Sequence, residues 1–161
     1  MAVSRDIFSK LRLTPGQLRA VAERRFADAC CLRDSGQQEG ANGAIYMAGF
    51  VIECLLKALL LERHPSLQKP VDPARLSEAD REVHRLLFSH ELDDTLGFLP
   101  ELERKLSGVK TESGGSARIQ FNAICEEWTV YARYSPANAK LDDARRHLET
   151  VEEVKKWLKE L

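Results

Sequence analysis

Residues 40–63 read GANGAIYMAGFVIECLLKALLLER, and the fold turns on what this run can be. Nothing in it alternates with a period of two, so a half-buried strand is excluded, and its length suits a helix that stops before Pro65. Small residues at Ala44, Ala48 and Gly49 allow close approach by neighbouring helices. Met47, Val51, Leu55, Leu56, Leu59 and Leu60 place apolar surface all round the axis. A helix of that kind is either central in a bundle or covered by a partner chain. Ala44 to Leu61 is also nearly long enough to span a bilayer. Glu53 and Lys57 near its middle would each cost roughly 2.5–3.5 kcal/mol at the bilayer centre, so a buried bundle helix is expected, with no membrane partner.

The flanking sequence supplies the helices that would cover it. Thr14 before Pro15 is a strong helix start, because threonine caps an orphan N–H and proline at the first helical position loses nothing. Leu18, Val21, Ala22, Phe26, Ala29 and Leu32 then form one apolar stripe, opposite Glu23, Arg24, Arg25 and Asp28, and Ser35-Gly36 ends the helix. Three prolines between Pro65 and Pro73 forbid regular helix, and Ser77-Glu78-Ala79-Asp80 opens a short one through Leu87. This stretch, 65–88, reads as an insertion or lid. After Ser89-His90 a further helix carries Leu92, Leu96 and Leu99. Pro100 kinks or restarts it, and Leu102 and Leu106 continue the stripe before a loop over Ser107 to Ser116. Ala117, Phe121, Ile124, Trp128 and Tyr131 mark the next helix, broken by Ser135-Pro136. Leu141, Ala144, Leu148, Val151, Val154, Leu158 and Leu161 mark the last. The expected fold is all-α: an antiparallel up-and-down bundle of four to five main helices plus a short inserted helix. It forms a single domain over 1–161, with 1–13 as an N-terminal extension.

A chain of 161 residues is long enough to bury a core without staples. Its net charge of −1 denies it the basic field that draws many nucleic-acid binders onto phosphate, so any such contact must be a local patch. Cys30, Cys31, Cys54 and Cys125 form no C-x-x-C pair and no Cys-His cluster, and are expected to be reduced core thiols. The first residues lack the apolar core of a secretory signal, which points to a reducing, cytoplasmic location.

Several segments, in order, resemble the HEPN domains (higher eukaryotes and prokaryotes nucleotide-binding) of prokaryotes. They are Phe26-Ala27-Asp28-Ala29, the small-residue run from Gly43 to Phe50, and Ile52-Glu53-Cys54-Leu55-Leu56-Lys57-Ala58-Leu59. Downstream are His90-Glu91-Leu92 and Arg133-Tyr134-Ser135-Pro136. The likeness runs from about Leu18 to Leu148, and the 65–88 insertion is less typical of the family. The resemblance implies a helical bundle that often forms a homodimer and is often encoded beside a nucleotidyltransferase. In many members it cleaves RNA without a metal.

The nuclease motif of that family is an arginine followed, after four to six residues, by a histidine. Arg85 and His90 stand at a fitting distance, although Leu86 replaces the usual polar residue after the arginine. Arginine stabilises developing phosphate charge and histidine can move the 2′-hydroxyl proton, while a histidine beside Ser89 can equally cap local backbone. Glu53 and Lys57 lie four apart in the favourable order for an ion pair. If Glu53 is inside the bundle it needs a partner, and Arg133 is a candidate from across the bundle. Arg145 and Arg146, and likewise Arg24 and Arg25, are doublets on faces expected to be solvated. Joined with Arg133 and Tyr134 they would make a strip for nucleotide or RNA phosphates, with Tyr131 or Trp128 for stacking. Gly114-Gly115 lacks the Lys-Ser/Thr of a phosphate loop, and no metal or cofactor is expected. Three functions follow. The first is a HEPN-like partner of a nucleotidyltransferase in a toxin–antitoxin or defence pair. The second is a metal-independent ribonuclease using Arg85 and His90, and the third is a non-catalytic interaction domain.

Overall fold

The computed structural model describes residues 14–69, 72–110, 115–130 and 134–160. These residues form α1 (Pro15–Asp34), α2 (Gly40–Arg63), α3 (Glu78–Leu87), α4 (Leu92–Gly97), α5 (Pro100–Gly108), α6 (Ala117–Glu127) and α7 (Leu141–Lys159). Two 3₁₀ turns, Pro65–Gln68 and Pro73–Arg75, lie between α2 and α3. The described residues contain no strand, only an isolated bridge between Lys110 and Ser116, so the protein is all-α.

α1 starts as its sequence demands: Thr14 Oγ1 accepts from the Gln17 N–H at 3.2 Å, and the Gln17 side chain accepts from the Thr14 N–H. Its end is set by Gly36, whose φ of +68° a residue with a Cβ would adopt only under strain. α2 is the hub. Ala44, Ala48, Val51, Ile52, Leu55, Leu56, Ala58, Leu60 and Leu61 are fully enclosed, with α1 and α7 supplying most of the cover. α2 has the length and apolarity that a bilayer-crossing helix would need, but protein surrounds most of it. α1 runs antiparallel to α2, since Arg19 near its start bonds Glu62 near the end of α2 at 3.0 Å. α7 runs the same way as α2, because Asn42 at the start of α2 donates to the Ala137 carbonyl and accepts from the Ala139 N–H just before α7.

Two expectations need adjustment. The helix begun at Ala117 stops at Glu127, short of Ser135-Pro136. Trp128 turns extended (φ −113°, ψ 130°) so that its indole can reach α2, while Tyr131 lies outside the described residues. Pro100 restarts the helix rather than kinking it, leaving α4 and α5 as separate pieces, and α5 runs through Gly108, past the expected loop start at Ser107. Glu23 keeps the exposed position expected of it opposite the apolar stripe, and from there it meets Lys155 at 2.8 Å and Lys159 at 3.0 Å on α7. The stretch read as an insertion contributes to the core through Val83, Leu86 and Leu87, and His64 Nδ1 sits 3.3 Å from Asp80 Oδ1 at the junction of α2 and α3.

Candidate functional site

The site is built on the second half of α2, where the only two charges of the central run turn inward. Glu53 and Lys57 are 6% and 5% exposed, so each must find its partner inside the protein. Lys57 Nζ donates to Glu53 Oε1 at 2.7 Å, the intrahelical pair that their spacing foretold. Lys57 also donates to the Ser89 carbonyl at 2.6 Å, and Glu53 Oε2 lies 3.0 Å from His90 Nδ1. The cross-bundle partner of Glu53 is therefore His90, from the α3–α4 link. Arg133, the partner considered from sequence, lies outside the described residues. A carboxylate can only accept, so Nδ1 carries the hydrogen of this bond and Nε2 is left for other work.

Aromatic rings frame the histidine. The Phe50 ring stands edge-on to His90 (centroids 6.0 Å apart), to Trp128 (5.3 Å) and to Tyr46 (5.0 Å). The Trp128 Nε1–H donates to the Tyr46 carbonyl at 3.0 Å, a carbonyl of α2 itself. Its indole fills the notch at Gly49, where an added Cβ would fall 2.1 Å from the ring.

Outside this frame His90, Glu91, Leu92, Asp93, Asp94, Cys125, Trp128 and Thr129 line an open groove of about 360 Å³. Among the described residues, three carboxylates line it and no lysine or arginine does. Arg118 and Arg85 approach its edge, 3.8 Å from Asp93 and 3.9 Å from Asp94. The Cys125 thiol is pushed up to about 12 by burial and by the neighbouring Asp93, so it is held protonated and unreactive. Among the described residues, no group of three or more His, Cys, Asp or Glu side chains is arranged to hold a metal.

Arg85 and His90 thus border one region without converging. His90 lines the groove, whereas the Arg85 guanidinium is exposed and bonded to Glu82 at 2.9 Å, a contact that raises its already high pKa. Arg145 folds back on Asp142 at 2.8 Å and Arg146 on Asp143, each within the first turns of α7. Tyr134 is exposed, and neither it nor the two arginines lines the groove. Sequence reasoning found the Glu53–Lys57 pair and, separately, His90. It missed the bond that joins His90 to Glu53, and the carboxylate pair Asp93–Asp94, which read as ordinary first-turn acids of a helix. Of the Trp128–Gly49 contact, only the glycine gave a sign. Comparison of the chain with protein-family models, with curated proteins and with solved structures returned no match.

Proposed function

We propose that the protein is a HEPN-like, up-and-down helical module that acts without catalysis, as a homodimeric partner of a nucleotidyltransferase in a toxin–antitoxin or defence-type pair. One observation carries the choice against a nuclease: the groove beside His90 presents Glu91, Asp93 and Asp94, and the Arg85 guanidinium nearby is bound to Glu82. A phosphodiester entering there would meet like charge, where cleavage requires a cation aimed at the developing negative oxygen. His90 instead serves the fold, by completing the shell of a buried carboxylate. If nucleotide or RNA binds, Arg145 and Arg146 on α7 and the exposed Tyr134 are the candidates to meet it; Arg133 lies outside the described residues.

The ribonuclease reading has one observation on its side. A carboxylate on Nδ1 orients an imidazole so that Nε2 can act as a general base, as in hydrolase triads. A metal-free RNA cleavage assay separates the two. The module reading expects wild type and His90→Ala to leave RNA equally intact, together with a dimer by light scattering and a defined-stoichiometry complex on co-expression with a nucleotidyltransferase encoded beside it. Cleavage by wild type that disappears in His90→Ala would instead establish the nuclease.

A further inference from the structure

A second histidine, away from the groove lining, joins the second turn of α7 to the end of α6. The His147 side chain has 0% exposure, and its Nδ1 lies 2.8 Å from Glu127 Oε2. Its Nε2 is buried and has no hydrogen-bond partner among the described residues. Because the carboxylate accepts, Nδ1 carries the hydrogen and Nε2 is the bare nitrogen of a neutral ring. A proton added at Nε2 would place an N–H with no acceptor among the described residues, and a net positive charge, inside the packed interface. Glu127 offsets this only in part, because its own side chain is 60% exposed and screened by water. Burial holds the imidazole below its ordinary 6.5, against the upward pull of Glu127.

The charged groups on the elements packed against α7 leave Glu127 as the one that acts on the ring. α2 has no charged residue from Gly40 to Ile52. On α1, Glu23 is taken by Lys155 and Lys159, and Asp34 by Arg33. On α7 itself, Asp143 is taken by Arg146, and on α6 Gln120 bonds Glu153 across the same interface.

Glu127 is the last residue of α6 and is followed directly by Trp128, the residue seated at Gly49 and lining the His90 groove. The geometry points to a proton-operated latch: protonation of His147 expels its ring from the α6–α7 interface, frees the end of α6, and lets Trp128 leave its notch so that one wall of the groove opens. Above pH 6.5 the ring is neutral whether seated or released, and the latch stays closed. As pH falls below that value the released form takes up a proton that the seated form refuses, and the balance moves toward release. The latch goes beyond the binding-module reading, and its test needs no ligand.

Trp128 can be isolated as the sole tryptophan by Trp157→Phe, and its emission followed from pH 8 to pH 5. A reversible red shift with a midpoint below 6.5 is expected, retained in His90→Gln and lost in His147→Gln. Glu127→Gln changes an exposed side chain and so keeps the test open should His147→Gln fail to fold. Removing the carboxylate removes the upward pull on the seated ring alone, so the seated form refuses the proton more strongly while the released form is unchanged, and the midpoint must move to higher pH. The latch is overturned by the absence of any transition, by one that persists in His147→Gln or vanishes in His90→Gln, or by an unmoved midpoint in Glu127→Gln.

Discussion

Glu53 is the residue on which the site's geometry hangs, because one carboxylate satisfies both an ammonium group from its own helix and an imidazole from the α3–α4 link. Truncating it strands Lys57, a 5% exposed cation left with the Ser89 carbonyl as its remaining bond. Breaking a buried pair from one side costs about 3–5 kcal/mol, so Glu53→Ala should lower the melting temperature sharply. Glu53→Gln, which keeps one oxygen to accept from Lys57 and can donate its amide to His90 Nδ1 in the other tautomer, should lose less. Melts of the two variants that coincide with wild type would remove the network from any structural role. The i,i+4 half of this network was legible in the sequence because helix geometry alone brings 53 and 57 together. The His90 half was not: 37 residues separate it from Glu53, and no local rule says which way the α3–α4 link folds. Arg85 shows what spacing alone leaves open: its distance in sequence from His90 fits a motif, while its side chain bonds Glu82, one helical turn away.

At the scale of elements, α2 was readable end to end because its boundaries and its burial follow from composition, whereas α6 was drawn too long. The periodicity through Trp128 is real, yet the chain leaves the helix at that residue to let the indole donate to Tyr46 and fill the space at Gly49. A tertiary contact overrode the local pattern. Gly49→Ala should therefore be costly although alanine is the better helix former: overpacking of this kind typically costs about 1–3 kcal/mol, more than the ~1 kcal/mol gained in propensity. Chemical denaturation of Gly49→Ala, Trp128→Leu and the double variant checks the mechanism. The double variant should be less destabilised than the sum of the two singles, because the smaller side chain vacates the volume that the methyl group needs. Strict additivity would mean that the two positions do not share that space.

Across the whole molecule the four thiols report how tightly the assembly closes. They were expected to be core residues, but Cys31 is exposed, while Cys54 is buried and pushed up to about 11 by burial and by the neighbouring Glu53. Cys30 is half-buried, with its thiol also raised by burial. A thiol reagent at neutral pH should modify Cys31 first, and reach Cys54 only as the protein unfolds. Mass spectrometry of time-quenched samples resolves the order, and equal early labelling of Cys54 and Cys31 would contradict a closed core. The exposed thiol escaped the sequence reading because Cys30 and Cys31 are neighbours, and adjacent helical positions point about 100° apart, so both cannot share the buried stripe.

The notch at Gly49 also sets a phase. A helix that is greasy on every side has no intrinsic reason to show one side rather than another to its neighbours, and could in principle spin or slip by a residue at little cost. An indole keyed into a gap that admits no methyl group removes that freedom. The angle at which α2 presents Glu53 and Lys57 toward the α3–α4 link is thus indexed by a single missing carbon.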